Sequence, residues 1–244
     1  MIVLKIVGIT VAIIVAAVFL YILVLFLLSF IVSTKKKYEK DSAFYRFLLN
    51  HLTAIALKLL GIKVHVTGFE KVPKDTKVLF VGNHRSCYDP IISWYIFRKW
   101  KPAFISKPSN FKIPIFGRYI RKCCFMAIDR ENPRNALKTI IDAAELIKKD
   151  EVSVGVYPEG TRSKNCELLP FHNGVFKIAQ RANVPIIVLA VDGTEKIHKN
   201  YLRRITHVYL TVAEVLDATD VKAMKTDEIG TIVNKALEKE LKRT

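Results

Sequence analysis

The sequence lacks several features that would point to common kinds of site. It has no Gly-x-Ser-x-Gly element, so no serine nucleophile is indicated, and its four cysteines do not show the spacing of a metal site. It also has no Asn-x-Ser/Thr acceptor, which together with the unpatterned cysteines fits a reducing, cytosolic location. No nucleic-acid-binding signature, internal repeat or low-complexity linker is present, and we expect no nucleic-acid partner.

Acidic residues are scarce relative to basic ones. The chain has 22 Asp and Glu against 39 Lys and Arg, which gives a net charge of +17. Lys5 is the only charged residue before position 35, so the remaining 210 residues carry +16. A domain of this size can bury a sizeable core, and its charge predicts an anionic partner. The apolar N-terminus points to a membrane among the anionic partners available.

Residues 6–32 form an uncharged run of 27 residues. As a helix the run would be about 40 Å long, and the core of a bilayer is about 30 Å thick. It is therefore predicted to anchor the chain in the cell membrane, either by spanning it or by dipping into one face, whereas its length disfavours a cleaved signal peptide. The lysines that follow, Lys35, Lys36, Lys37 and Lys40, place the rest of the chain on the cytoplasmic side and can contact anionic lipid head groups.

We divide the chain into an N-terminal membrane anchor at 1–34, an amphipathic helical linker at 35–61 and a globular domain at 62–244. The linker helix, which Gly61 ends, is expected to lie along the membrane surface or to cover the sheet. Further on, predicted strands at 62–67, 78–81, 102–106, 124–128, 152–157, 185–191 and 205–215 alternate with helices that start at 89, 133, 174 and 226. This alternation predicts an α/β fold with a largely parallel sheet covered by helices on both faces.

In such a sheet, active groups lie at the carboxyl ends of strands. His84 follows the predicted strand at 78–81, and Asp89-Pro90 is typical of a helix start with Asp89 as the N-cap. The loop between them can bring the side chains together, so that the carboxylate orients the imidazole and the free ring nitrogen acts as a general base on a substrate hydroxyl. The plainer interpretation is that Asp89 only caps its helix and His84 is a loop residue.

The segment Glu159-Gly160-Thr161-Arg162 follows the predicted strand at 152–157 and has the parts of an anion site. Gly160 permits a tight turn, Thr161 supplies a hydroxyl donor and Arg162 supplies a guanidinium fork that matches phosphate. Arg130 also stands at the carboxyl end of a predicted strand. In isolation, the loop is equally well an ordinary turn with a Glu159–Arg162 surface pair, and Arg130 a solvated loop charge.

Four motifs occur in order. They are Asn83-His84-Arg85-Ser86-x-x-Asp89; Lys107 with Ile113-Pro114-x-x-Gly117 and Ile128-Asp129-Arg130; Tyr157-Pro158-Glu159-Gly160-Thr161-Arg162-Ser163; and Val184-Pro185-Ile186-Ile187. Together they resemble the glycerolipid acyltransferase family, specifically the 1-acylglycerol-3-phosphate acyltransferases, over most of residues 62–215. Two departures are Val188, where the family often has a second proline, and Phe171-His172-Asn173-Gly174, which replaces a version that contains lysine.

The resemblance implies that residues 62–244 are a catalytic domain with His84 as general base and Asp89 as its orienting partner. It implies that the phosphate and glycerol of the substrate contact Lys107, Arg130, Glu159, Gly160, Thr161 and Arg162. The implied reaction moves an acyl chain from acyl-CoA or acyl carrier protein to the sn-2 hydroxyl of lysophosphatidic acid. The product is phosphatidic acid, an intermediate of phospholipid biosynthesis. Membrane lipids are expected partners, and no metal or bound cofactor is expected.

Two alternatives stay open. In the first, the acceptor is glycerol 3-phosphate or another lysolipid. Relatives that use glycerol 3-phosphate often carry a glycine at the position of Thr161, which disfavours that acceptor. In the second, the protein is a catalytically silent, membrane-tethered lipid-binding protein. The intact pair of His84 and Asp89 disfavours this alternative.

Overall fold

The computed structural model describes residues 1–201 and 205–242. The helices in these ranges are α1 (Ile2–Phe30), α2 (Ala43–Leu59), α3 (Tyr88–Ile96), α4 (Phe116–Lys122), α5 (Pro133–Lys148), α6 (Lys177–Ala182), α7 (Ile197–Asn200), α8 (Ala218–Ala223) and α9 (Thr226–Leu241). The strands are β1 (Ile62–Thr67), β2 (Leu79–Gly82), β3 (Ala103–Ser106), β4 (Met126–Ala127), β5 (Val154–Val156), β6 (Ile186–Asp192) and β7 (Thr206–Leu216).

These strands form one sheet in the order β1-β7-β6-β2-β5-β3-β4. Every neighbouring pair is parallel except β6 and β7, which are antiparallel. The carboxyl ends of β6, β2, β5, β3 and β4 therefore lie in that order along one edge of the sheet. The prediction of an α/β fold with a largely parallel sheet is confirmed.

Two apolar cores, one on each face of the sheet, hold the helices against it. Successive residues of β2 point to opposite faces, so Leu79 and Val81 belong to the larger core and Phe80 to the smaller. The larger core includes residues of α4, α5, α6 and α9, and the smaller includes residues of α3 and the end of α2. Each fully buried leucine, valine or phenylalanine side chain stabilises the fold by about 1.5–3 kcal/mol.

Two predicted segments differ from the structure. The strand predicted at 124–128 is reduced to the two residues of β4, because the chain leaves α4 through Cys124 with a positive φ of 59°. The helix predicted to start at 174 is preceded by a 3-10 turn, Asn173–Phe176, so that α6 itself begins only at Lys177.

α1 includes Lys5 and ends two residues before the uncharged run does. By length and composition it is the one helix among the described residues that could cross a membrane. Its last turns contact the globular part, where the main-chain oxygens of Leu25 and Leu28 accept hydrogen bonds from the hydroxyls of Tyr119 (2.8 Å) and Tyr45 (3.0 Å). The rest of α1 projects from the domain with its apolar side chains exposed.

One side of α2 packs against α4, α3 and β1, and its other side carries exposed apolar residues. Leu48 and Leu49 are buried, whereas Phe47 remains 64% exposed. The helix is fixed by Arg46, a buried charge that pairs with Asp41 at 2.7 Å and also donates to main-chain oxygens near β3 and β4. The helix of the predicted linker therefore packs against the globular part of the chain.

Gly155 of β5 lies against the ring of Phe104 on β3. A Cβ atom at this position would approach the ring atoms to 2.4 Å, far inside van der Waals contact. Because Phe104 has little room to retreat in the core, we expect Gly155→Ala to lower the free energy of unfolding by about 1–3 kcal/mol. Denaturant unfolding of the detergent-solubilised protein measures this change.

Gly174→Ala is the matched control, since a Cβ atom there meets nothing within 4 Å. Its unfolding free energy should stay within about 0.5 kcal/mol of the original. Equal losses in the two variants would contradict the packing explanation.

Candidate active site

The loops that follow four adjacent strands line one cavity of about 230 Å³. Of the predicted site residues, six lie in its wall: His84 after β2, Lys107 after β3, Arg130 after β4, and Gly160, Thr161 and Arg162 after β5. Asp89 and Glu159 lie behind this wall, only 0% and 3% exposed. The structure thus brings all eight residues together at the edge of the sheet.

The side chains of His84 and Asp89 are hydrogen-bonded, with 2.9 Å between Nδ1 and Oδ2. A carboxylate accepts hydrogen bonds, so we assign the imidazole proton to Nδ1. Nε2 then holds a free lone pair and has no hydrogen-bond partner within residues 1–201 and 205–242. The His84 side chain is 17% exposed and lines the cavity, where Nε2 can take a proton from a bound molecule.

The Asp89 carboxylate is surrounded by hydrogen-bond donors. Oδ2 accepts, in addition to the imidazole, the main-chain N–H groups of Arg85 and Ser86, both at 2.7 Å. Oδ1 accepts the hydroxyl of Thr194, which follows β6 and is fully buried. All four partners of this buried carboxylate are donors, as the oxygen atoms of a carboxylate require.

The prediction that Asp89 is the N-cap of its helix is wrong. α3 begins at Tyr88, with Cys87 at the N-cap position, so Asp89 is already inside the first turn. Its carboxylate points back to the loop that precedes the helix and satisfies main-chain donors there. The interpretation of Asp89 as a helix cap is replaced by a role in shaping the 84–86 loop and in orienting His84.

The other side of the imidazole rests on Tyr157. The two rings are stacked, with centroids 4.4 Å apart and an angle of 15° between their planes. Tyr157 stacks in turn on Phe104, at 5.7 Å. Burial, reinforced by the nearby Asp89 charge, raises the pKa of the Tyr157 hydroxyl well above its usual value, so the ring under His84 stays neutral. The imidazole is therefore held in orientation by two contacts, the stacking on Tyr157 and the hydrogen bond to Asp89.

Glu159 holds the main chain of His84. Its carboxylate accepts the N–H of His84 at 2.6 Å and the N–H of Leu169 at 3.1 Å. The N–H of Ser163 donates in return to the carbonyl oxygen of His84, at 2.8 Å. Burial raises the pKa of Glu159, and the two N–H donors partly oppose that change. The alternative of a Glu159–Arg162 surface pair does not fit, because Glu159 is buried and bonded to the main chain.

Three cations line the cavity: Lys107, Arg130 and Arg162. None of them forms an ion pair with a carboxylate in the described part of the chain. Gly160, with a φ of 69°, turns the chain so that Thr161 and Arg162 follow Glu159 into the cavity wall. The cavity therefore combines an oriented imidazole with unpaired positive charge, an arrangement suited to an anionic molecule that gives up a proton.

Sequence reasoning missed Tyr157 and Thr194 as parts of this site. Tyr157 stands inside a quoted motif, but nothing in the sequence indicates that it stacks on an imidazole 73 positions earlier. Thr194 had a usable signal, because it follows the predicted strand at 185–191 just as His84 follows its own strand. Within the described ranges, no group of three or more His, Cys, Asp and Glu side chains is placed to bind a metal ion.

Residues 63–192, which include every residue in the cavity wall, match the Acyltransferase family. Over 180 residues the chain is 32% identical to the 1-acyl-sn-glycerol-3-phosphate acyltransferase of Escherichia coli (strain K12), covering 73% of this chain and 71% of that protein. It is 31% identical over 175 residues to the 1-acyl-sn-glycerol-3-phosphate acyltransferase of Haemophilus influenzae, covering 70% of each.

A solved structure is also similar. It is the crystal structure of the 1-acyl-sn-glycerophosphate (LPA) acyltransferase, PlsC, from Thermotoga maritima. It superposes with a TM-score of 0.65 and 25% sequence identity, over 81% of this chain and 79% of that one.

The hydrogen bond from Thr194 to Asp89 can be tested by removing the hydroxyl without changing the shape of the side chain. Thr194→Val leaves Oδ1 of a fully buried carboxylate without its donor, and we expect it to lower the free energy of unfolding by about 1–3 kcal/mol. Thr194→Ser keeps the donor and should recover most of this loss. Denaturant unfolding compares both variants with the unmodified chain, and a Thr194→Val variant as stable as the unmodified chain would show that the hydrogen bond contributes nothing.

Proposed function

The chain belongs to the acyltransferase family, and on that premise we propose that it transfers an acyl chain from an acyl thioester to the sn-2 hydroxyl of lysophosphatidic acid, forming phosphatidic acid. The observation that carries this proposal is the cavity in which His84, oriented by Asp89, lies beside Lys107, Arg130 and Arg162. An acceptor with a hydroxyl and a phosphate a few bonds apart fits both parts of this cavity.

His84 acts as the general base in the proposed reaction. Its Nε2 takes the proton of the acceptor hydroxyl as the hydroxyl oxygen forms a bond to the thioester carbonyl carbon. The carbon–sulfur bond then breaks, and the proton passes from His84 to the departing thiolate. Thr161 lies in the same wall and offers donors for the negative charge that develops on the carbonyl oxygen.

The roles of the remaining residues follow from where they point. Lys107, Arg130 and Arg162 hold the acceptor phosphate, and Gly160 gives the loop the turn that presents Arg162. Glu159 was expected to contact the substrate. We assign it instead the positioning of His84 through the main chain, because its carboxylate accepts two N–H groups behind the cavity wall.

The acyl donor is acyl-CoA or acyl carrier protein, and the +16 charge of residues 35–244 suits the anionic groups of either. The acceptor and the product are membrane lipids. The apolar α1 therefore serves to hold the active site at the membrane. We place the catalytic domain on the cytoplasmic side, since basic residues follow α1 and only Lys5 precedes its apolar stretch.

Thioester consumption by the purified full chain tests the proposal. Thiol release should require lysophosphatidic acid and should be slow with glycerol 3-phosphate, a different lysolipid or no acceptor. Preference for another acceptor would replace the proposed substrate within the same reaction class. Absence of thiol release with every acceptor and with both donors would leave a lipid-binding protein.

The base can be tested by substitution. We expect His84→Ala to lower kcat by about 10²–10⁴-fold, the usual effect of losing a general base. Asp89→Asn should also be severe, because an amide in this place can favour the wrong imidazole tautomer. His198→Ala, which removes an exposed histidine of α7, is the control and should keep full activity. More than about a tenth of the original activity in His84→Ala would rule out this mechanism.

The phosphate contact of Arg162 can be tested with a pair of acceptors. Arg162→Ala should lower kcat/KM for lysophosphatidic acid about ten- to a hundredfold, since a hydrogen bond to a charged group is worth roughly 1.5–3 kcal/mol. Arg162→Lys should have a smaller effect, because lysine keeps the charge but loses the two-pronged geometry. The KM of the thioester donor should change much less.

Monoacylglycerol, which lacks the phosphate, is the control acceptor. It should react poorly with the unmodified chain and should be nearly indifferent to either substitution. Arg181→Ala, an exposed arginine at the end of α6, is the control variant. Equal losses with the phosphorylated and the unphosphorylated acceptor would exclude a phosphate contact and would make Arg162 a residue that only shapes the loop.

A further inference from the structure

A second cavity with unpaired cations lies at the base of α1. It measures about 250 Å³ and shares no lining residue with the active-site cavity. Its basic residues are Lys35, Lys36 and Lys37, which follow α1, and Arg121 of α4. Asp142 of α5 is the one acidic residue in the wall, so the described lining carries a net charge of +3.

The acid in this cavity is already neutralised, whereas most of the cations are not. Asp142 pairs with Lys37 at 2.8 Å. Lys35, Lys36 and Arg121 have no carboxylate partner within residues 1–201 and 205–242. Three positive charges without described acidic partners around one cavity favour an anion there.

Arg121 is held in place by an aromatic ring instead of an acid. Its guanidinium lies over the ring of Phe111, 5.0 Å from the centroid. Its Nε atom is buried and has no hydrogen-bond partner in the part of the chain that the structure describes. The planar donor group is therefore positioned in advance while its hydrogen-bonding capacity stays unused, which suits a phosphate.

The cavity lies where the apolar helix meets the domain. Arg121 also borders a groove formed with Phe26 and Phe30 of the last turns of α1. The neighbouring Arg118 lies over the Phe30 ring at 4.5 Å and donates to the main-chain oxygen of Ser29 at 3.2 Å. If α1 is in the bilayer, these arginines are at the level at which lipid phosphates lie.

We propose that this cavity binds the phosphate of an anionic membrane phospholipid between Arg121 and the lysines Lys35 and Lys36. A lipid is favoured over free phosphate because the cavity adjoins the apolar side chains of α1, which acyl chains can cover while the headgroup enters. The site is separate from His84, and its occupation does not depend on the proposed acyl transfer.

Native mass spectrometry of the full chain in neutral detergent, with phosphatidylglycerol added, tests the site. The triple variant Lys35→Gln, Lys36→Gln, Arg121→Gln should bind phosphatidylglycerol at least about tenfold more weakly than the unmodified chain. The matched control removes the same charge elsewhere, with Lys63→Gln, Lys222→Gln and Lys239→Gln, and should change the affinity by less than about twofold. Phosphatidylcholine should bind equally to all three proteins.

Two results would overturn the proposal. If the cavity variant and the control lose equal affinity for phosphatidylglycerol, only the net charge of the protein matters for binding. Displacement of the lipid by inorganic phosphate as effectively as by short-chain phosphatidylglycerol would mean a site for the free ion. Should Arg121→Gln prevent folding, the double variant Lys35→Gln, Lys36→Gln replaces only exposed side chains, and it must still weaken binding severalfold for the proposal to stand.

Discussion

The structure of the site depends on satisfying one buried carboxylate. Asp89 has no exposed surface, so all its hydrogen bonds must come from the protein. The oxygen that receives the His84 imidazole also receives two main-chain N–H groups of the same loop. The loop conformation and the imidazole orientation are consequently fixed together. The hydroxyl of Thr194, just after β6, donates to the other oxygen of Asp89. This hydrogen bond connects the start of α3 to the end of a neighbouring strand.

The main chain of His84 is held from the opposite side by the loop after β5. Its N–H and its carbonyl oxygen are bonded to Glu159 and to Ser163, four residues apart. The segment 159–163 thus serves two purposes. Glu159 and Ser163 position His84, while Thr161 and Arg162 between them line the cavity. Parallel strands make this possible, because β2 and β5 are neighbours and their carboxyl ends emerge side by side.

The sequence was sufficient for the fold class and for the residues that gather at the sheet edge. The fold class follows from apolar runs of strand length, and His84, Arg130 and the 159–162 loop follow from polar residues directly after such runs, whereas Lys107 was assigned only through the family resemblance. What it could not predict depends on contacts between distant segments. Nothing local shows that Tyr157 supports the imidazole, or that Glu159 points to the main chain while Arg162 points to the cavity. The N-cap of α3 was placed at Asp89 instead of Cys87 for a different reason, because local sequence patterns fix the ends of a helix only to within one or two residues.

The two cavities with unpaired cations differ in what accompanies the charge. Each contains three cations without a described acidic partner, so each favours an anion. At the sheet edge those cations lie beside an imidazole whose free nitrogen is oriented by Asp89, and a bound hydroxyl can react. At the base of α1 the neighbours are the Phe111 ring and an aspartate paired with Lys37, and no histidine is among the described residues that line this cavity. Positive charge therefore supports the proposed binding in both places, and the Asp89–His84 pair supports the proposed acyl transfer at only one of them.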